Sequence, residues 1–89
     1  MKGVHVYVSG RVQGVGYREA TRKKAQSLGL VGWVKNLEDK RVELMAQGSK
    51  AAIDTLLLFL KSGPILAKVS QLDISEGVSL SDEMGFRIR

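Results

Sequence analysis

Residues 10–18 of this chain, Gly-Arg-Val-Gln-Gly-Val-Gly-Tyr-Arg, combine three glycines with two arginines and contain no carboxylate. They follow an alternating strand that ends at Ser9 and precede a helical pattern that starts at about Glu19. Glycine permits positive φ angles and lets the backbone come close to a ligand. A strand-to-helix connection of this kind can direct successive N–H groups and the positive end of the helix dipole at one anion. Arg18 adds a planar two-pronged contact, so the stretch is predicted to bind phosphate or carboxylate.

Two better-known phosphate-binding motifs do not fit this stretch. The P-loop pattern Gly-x-x-x-x-Gly-Lys-[Ser/Thr] cannot be threaded through Gly10, Gly14 and Gly16. The dinucleotide pattern Gly-x-Gly-x-x-Gly fails because Glu19 stands where its third glycine should be. Considered alone, the stretch is interpreted equally well as a glycine-rich turn that only reverses the chain. Other parts of the sequence have to decide between the two interpretations.

Composition excludes several kinds of site. The 89 residues contain no cysteine, which excludes disulfides, thiol nucleophiles and zinc–thiolate sites, and the single histidine, His5, leaves no plausible metal cluster. The net charge is +5, and its excess lies in residues 1–50, which hold ten Lys and Arg against four Asp and Glu. Residues 51–89 hold four Lys and Arg against five Asp and Glu. This charge favours an anionic small molecule or a nucleic acid as ligand, and composition does not choose between them.

The chain carries no sign of a membrane or export segment. Its longest apolar run, residues 56–60, is far too short to span a bilayer, and the N-terminus lacks the pattern of a signal peptide. The hydrophobic content of 44% is typical of a globular protein, and the length suits one core. We therefore expect one cytoplasmic, monomeric domain over residues 1–89, with no membrane partner.

Alternation and helical periodicity predict the order β-α-β-β-α-β with a possible fifth strand. The predicted strands are residues 4–9, 30–37, 41–47, 67–76 and 85–89; the predicted helices are residues 19–28 and a segment from the N-cap Ser49 to Gly63-Pro64; polar residues 79–82 precede the last strand. This order predicts a ferredoxin-like α/β (α+β) sandwich, with two helices on one face of a four- to five-stranded antiparallel sheet. His5 falls on the strand face opposite the valines, where we expect it to pack rather than to catalyse.

With two long motifs present, the chain resembles an acylphosphatase. The first motif is Gly-Arg-Val-Gln-Gly-Val-Gly-Tyr-Arg at residues 10–18, with Thr21 three residues on; the second is Leu-Gly-Leu-x-Gly-Trp-Val-Lys-Asn at residues 28–36. Weaker agreement follows at residues 41–43, at Gly63-Pro64 and in the closing Phe86-x-Ile88. The resemblance covers essentially the whole chain.

The resemblance implies an enzyme that hydrolyses the mixed anhydride between a carboxylic acid and phosphate, using neither a metal nor a cofactor. An acyl phosphate would be the substrate, and inorganic phosphate would be both a product and a competitive inhibitor. The phosphoryl group would be held by the backbone N–H groups of Gln13, Gly14, Val15, Gly16, Tyr17 and Arg18. The Arg18 guanidinium would also bind it, and Asn36 would orient the attacking water from the neighbouring strand.

The sequence departs from the acylphosphatase pattern in three places. Acylphosphatases often carry Leu-Pro-Asp-Gly in the hairpin, where this chain has Leu-Glu-Asp-Lys at residues 37–40. Lys40 must then adopt a positive φ at a cost of about 1 kcal/mol, or the turn must change type. Tyr17 stands where Phe is commoner, and Lys35 stands where Arg is common. Glu19 is positioned to compete for the Arg18 guanidinium, but we expect it to point outward along the helix.

Two other functions fit the same fold. The basic N-terminal half suggests a nucleic-acid-binding module, but such modules stack bases on aromatic residues of the sheet, and the strand at residues 41–47 has none. A catalytically silent acylphosphatase-like domain, as found fused in hydrogenase-maturation carbamoyltransferases, would give a similar sequence. Of these possibilities we expect a stand-alone enzyme.

Overall fold

The computed structural model describes residues 1–79 and 84–89 as five strands and two helices. They are β1 (Lys2–Arg11), α1 (Tyr17–Ser27), β2 (Val31–Asn36), β3 (Val42–Gly48), α2 (Lys50–Leu60), β4 (Lys68–Glu76) and β5 (Phe86–Ile88). The ferredoxin-like order predicted from the sequence is confirmed, including the fifth strand. Residues 80–82 of the predicted polar connection lie outside the described residues.

The strands form one sheet in the order β4-β1-β3-β2-β5. Strands β1 to β4 pair antiparallel, as predicted, but β5 pairs parallel with β2, so the sheet is mixed. The reason is geometric. Both β1 and β2 run antiparallel to β3, and β4 runs antiparallel to β1, so a chain that reverses after β4 must run in the direction of β2. The prediction of a wholly antiparallel sheet is therefore wrong for this one strand.

Alternation along the strands determines which sheet face the helices cover. The inward side chains of β1, Val4, Val6 and Val8, are fully buried, as is Leu44 of β3 opposite Val6. The helices add a second apolar layer over them: Tyr17, Thr21 and Ala25 from α1, and Ala52, Ile53, Leu56 and Leu60 from α2. A single core therefore lies between the sheet and the two helices. Leu58, which falls off the apolar stripe of α2, is exposed as expected.

The helix ends differ in how they are capped. Ser49 caps α2 as predicted, its side chain accepting a hydrogen bond from the Ala52 N–H at 3.2 Å. The helix α1 starts at Tyr17, two residues before the predicted start at Glu19, because Gly16 ends the preceding loop in a left-handed conformation. No helix in residues 1–79 or 84–89 combines the length and apolarity needed to cross a membrane.

The turn between β2 and β3 adopts the first of the two alternatives that the sequence left open, a lysine with positive φ. Lys40 has φ 79°, and no other non-glycine among the described residues has a positive φ. The Leu37 N–H donates to the Arg41 carbonyl at 2.8 Å, and an Asp39 carboxylate oxygen accepts from the Arg41 N–H at 3.1 Å. The turn therefore keeps a closed geometry at the cost of a lysine in a conformation that glycine prefers.

Replacing Lys40 by glycine is expected to stabilise the protein. Removing the penalty of the left-handed conformation raises the free energy of unfolding by about 1–2 kcal/mol. The extra freedom of glycine in the unfolded chain lowers it by about 0.4–1 kcal/mol. The free energy of unfolding, measured by urea titration, should rise by roughly 0.5–1 kcal/mol. As a control, Glu38→Gly in the same turn should lower it, because Glu38 has no positive φ to relieve. Equal destabilisation by both variants would contradict this account.

Candidate active site

The connection from β1 to α1 takes its path from three glycines with positive φ. A bulge between Ser9 and Gly10 shifts the register of β1 against β4, and Gly10 has φ 123°. Gly14 and Gly16 follow with φ 73° and 80°. A Cβ at either of these two positions would meet no atom within 4 Å, so the conformation, and not crowding, favours glycine there.

The backbone N–H groups of residues 13–19 have no acceptor within the described part of the chain. The first helical bond of α1 runs from the Ala20 N–H to the Gly16 carbonyl at 3.0 Å. The N-cap residue, Gly16, has no side chain to cap the helix. These seven groups and the positive end of the α1 dipole therefore provide hydrogen-bond donors for an anion. We call residues 13–18 the phosphate loop.

Arg18 stands beside a pocket of about 250 Å³ that the phosphate loop helps to form. The pocket is lined by Val12, Gly14, Gly16, Tyr17, Arg18, Glu19, Asn36 and Ile88. The guanidinium of Arg18 makes no hydrogen bond or ion pair with any residue in 1–79 or 84–89. Glu19 is instead bound by Arg22, whose Nε donates to it at 2.6 Å. Glu19 therefore makes no bond to Arg18, although it lines the same pocket.

Asn36 reaches the same pocket from the sheet. It is the last residue of β2, it is exposed, and its amide makes no hydrogen bond within the described chain. Its strand partner is Val42, a fully buried residue of β3, and this is the last pair between β2 and β3 before the turn. The fold thus brings together the two side chains, Arg18 and Asn36, that the sequence analysis selected from different elements.

The side chains of three phosphate-loop residues point away from the pocket and fix the loop. Tyr17 is buried, and its hydroxyl donates to the Leu60 carbonyl at the end of α2 at 2.8 Å. Burial raises the pKa of Tyr17 well above its ordinary value. Val15 packs on the core, and the Gln13 amide donates to backbone carbonyls of the β2–β3 turn. These three residues can therefore contact a ligand only through their backbone N–H groups.

Two pocket residues were not selected by the sequence analysis. Val12 is buried under the loop, and Ile88 comes from β5, where it pairs with Val34 of β2. The signal was present in the closing Phe-x-Ile pattern, which was noted as part of the resemblance and not as part of the site. A distant strand that pairs in parallel cannot be located beside the phosphate loop by local periodicity.

The sheet face away from the helices carries a polar cluster, and none of the three residues that form it is among those that line the pocket. The His5 ring nitrogen contacts a Glu43 carboxylate oxygen at 2.6 Å, and Lys35 lies 3.6 Å from the other oxygen. Burial raises the pKa of Glu43, but His5 and Lys35 outweigh this effect and hold it below its ordinary value. His5 therefore lies in an ion-pair cluster on the face that the sequence predicted.

The aromatic rings on this open face are covered by cations of the chain itself. The Arg89 guanidinium lies 4.6 Å from the centroid of Trp33, whose side chain is only 6% exposed, and Arg41 lies 4.6 Å from that of Tyr7. Bases would have to displace these cations in order to stack, which argues against a nucleic-acid interface here. Among the described residues, no group of three or more His, Cys, Asp or Glu could hold a metal ion.

Comparison with known proteins points to one family for this chain. The acylphosphatase family model matches residues 4–88. An acylphosphatase of Acaryochloris marina is 56% identical over 81 residues, which cover 91% of this chain and 86% of that protein. The crystal structure of acylphosphatase from Bacillus subtilis is similar with a TM-score of 0.95 and 37% identity, covering 100% of this chain and 99% of that one. The structure of an acylphosphatase from Coxiella burnetii is similar with a TM-score of 0.91 and 47% identity. The match covers 98% of this chain and 90% of that one.

Removing the Tyr17 hydroxyl should weaken the fold without changing the pocket. In Tyr17→Phe the buried Leu60 carbonyl loses its donor, which is expected to lower the free energy of unfolding by about 1–3 kcal/mol. The backbone N–H of residue 17 is unaffected, so inhibition by phosphate should not change. The matched control is Tyr7→Phe on the open sheet face, where we expect a smaller loss. A Tyr17→Phe variant as stable as the parent would contradict the assigned hydrogen bond.

Proposed function

The chain belongs to the acylphosphatase family and hydrolyses acyl phosphates to a carboxylate and inorganic phosphate, and we propose that it does so with the phosphate loop, Arg18 and Asn36. The observation that carries this proposal is that Gly14, Gly16, Tyr17 and Arg18 of the loop line one pocket together with Asn36. The loop N–H donors, the guanidinium and the amide all lack partners within residues 1–79 and 84–89. Each of the three supplies a different part of the reaction.

The phosphate loop binds the phosphoryl group through its backbone. The N–H groups of Gln13, Gly14, Val15, Gly16, Tyr17 and Arg18 donate to the non-bridging phosphoryl oxygens, with the α1 dipole adding to the field. Negative charge on those oxygens must be stabilised in the transition state, and donors that are already oriented need no reorganisation at that moment. The loop therefore contributes to both binding and rate.

Arg18 adds the one full positive charge among the residues that line the pocket. Its guanidinium presents a fork of N–H donors that matches two phosphoryl oxygens. Glu19 also lines the pocket, but its carboxylate is paired with Arg22, so its charge is balanced by Arg22 and not by Arg18. Arg18 therefore acts mainly by raising the affinity for the phosphoryl group and by stabilising the negative charge on its oxygens in the transition state of hydrolysis.

Asn36 orients the nucleophile. Its neutral amide can accept one proton of a water molecule and donate to another oxygen, which suits orientation and not deprotonation. The water oxygen forms a bond to phosphorus while the bond from phosphorus to the acyl oxygen breaks, and the acyl group leaves as carboxylate. A carboxylate is a weak base and needs no general acid. The proton of the attacking water passes to the phosphate that is formed.

Two finer points follow from this proposal. Inorganic phosphate should be a competitive inhibitor, because the loop binds the part of the substrate that becomes phosphate. We also propose that the enzyme acts as a monomer, because the described residues of one chain bring Gly14, Gly16, Arg18 and Asn36 to the same pocket.

Hydrolysis of benzoyl phosphate tests the proposal as a whole. We expect turnover, followed by ultraviolet absorbance, that persists in the presence of a chelator and is inhibited competitively by phosphate. A folded protein without turnover would contradict the activity. Inhibition by phosphate that is not competitive would contradict the proposed loop.

The Asn36→Ala variant separates water orientation from phosphate binding. Loss of an oriented water should lower kcat by about 100-fold or more, because small errors of position in this step are costly. The inhibition constant for phosphate should remain that of the parent enzyme, since the phosphate loop is intact. A kcat close to the parent value would show that the amide does not orient the water.

The Arg18→Ala variant tests the guanidinium. A hydrogen bond to a charged group contributes about 1.5–3 kcal/mol, so the inhibition constant for phosphate should rise by roughly 10- to 100-fold, with a parallel loss of turnover. Lys23→Ala is the matched control, because it removes the same charge from an exposed position of the same helix. If both variants bind phosphate equally well, Arg18 has been assigned wrongly.

A further inference from the structure

The Gln13 side chain joins the two halves of the active site. Its amide nitrogen donates one hydrogen bond to the Leu37 carbonyl and one to the Arg41 carbonyl, each at 2.9 Å. These carbonyls belong to the two ends of the β2–β3 turn, 24 and 28 residues further along the chain. No other side chain of the phosphate loop makes a hydrogen bond to this turn within the described residues.

The hydrogen bonds within the turn do not hold it against the phosphate loop. Residues 38–40 are exposed, and Lys40 has the strained φ of 79°. Within the turn, the Leu37 N–H donates to the Arg41 carbonyl and the Lys40 N–H donates to the Leu37 carbonyl. The Arg41 N–H and Nε both donate to the Asp39 carboxylate. All of these lie within the turn, so none of them determines how far the turn lies from the phosphate loop.

Asn36 precedes this turn directly. Its backbone is the last position of β2 before Leu37, whose carbonyl accepts from Gln13. A displacement of Leu37 therefore moves the Asn36 amide relative to the phosphate loop. The loop has its own anchors, the buried Val12 and Tyr17, which do not depend on the turn.

We propose that Gln13 is a positioning residue, whose side chain holds the turn, and through it the Asn36 amide, at the correct distance from the phosphate loop. This inference rests on the proposed function, and in particular on the role of Asn36. In the proposed function the backbone N–H of Gln13 binds the phosphoryl group, and here its side chain has the separate role of positioning the turn. A primary amide is required because both protons of one nitrogen are used, one on each carbonyl.

The substitution that removes only this task is Gln13→Met. Methionine has nearly the same length but no N–H to donate, and it keeps the backbone N–H of residue 13. A displacement on the order of 1 Å can cost about 100-fold in rate, so kcat on benzoyl phosphate should fall at least tenfold. The inhibition constant for phosphate should stay within about threefold of the parent, because the loop keeps its own anchors.

Two control variants separate positioning from general loosening of the fold. Gln26→Met also removes a bond from a glutamine amide to a backbone carbonyl, here that of Phe86 at 3.0 Å, and it should leave kcat unchanged. Gln13→Glu keeps the length but puts a carboxylate against two carbonyls, and it should lose as much kcat as Gln13→Met. Amide hydrogen exchange at Leu37 should be faster in both Gln13 variants and unchanged in Gln26→Met.

A double-mutant cycle tests whether Gln13 acts through Asn36. If it does, Gln13→Met should lower kcat in the parent enzyme but have little further effect when Asn36 is already alanine. Equal losses in both backgrounds would overturn the proposal. So would a kcat for Gln13→Met that equals that of Gln26→Met.

The cycle also distinguishes this inference from the proposed function. If Asn36→Ala itself kept its kcat, the water-orienting role and this inference would both be wrong. If Asn36→Ala lost kcat and Gln13→Met did not, only this inference would be wrong. A larger effect of Gln13→Met on phosphate inhibition than on kcat would assign the side chain to the loop instead.

Discussion

The site depends on a helix that starts without a cap. Most helices satisfy their first N–H groups with a serine, threonine, aspartate or asparagine side chain, as Ser49 does for α2. In α1 the capping position is Gly16, with φ 80° and no side chain, so its N–H groups stay available for a ligand. A capping side chain would stabilise α1 but would occupy the donors that we propose for the phosphoryl group. The uncapped start therefore costs α1 some stability and leaves its N–H groups without a partner in the described chain.

The rest of the chain keeps this uncapped end rigid. Tyr17 fixes the first turn of α1 to the end of α2 through the Leu60 carbonyl, and it packs so closely on Gly63 that a Cβ there would lie 2.6 Å from its ring. Gln13 connects the other side of the loop to the β2–β3 turn. Gln13 and Tyr17 thus anchor the loop through their side chains, while their backbone N–H groups stay available for the proposed ligand.

The sequence predicted most of the fold because its signals are local. Alternation in β1, the apolar spacing of α2 and the Ser49 cap each specify an element, and the glycines and Arg18 indicate an anion site. Local patterns could not show that β5 pairs parallel with β2 and so brings Ile88 to the pocket. Nor could they show that the Gln13 side chain reaches the β2–β3 turn, because both features depend on contacts between distant parts of the chain.

The central claim is that the unpaired N–H groups of the phosphate loop bind phosphate. Its most direct test is a titration of the parent protein with inorganic phosphate, followed by the amide resonances in NMR spectra. We expect the amides of residues 13–18 to shift together and to saturate at one dissociation constant, while those around Tyr7 and Glu43 on the open sheet face do not move. Saturable shifts centred on that open face, with residues 13–18 unchanged, would contradict the account.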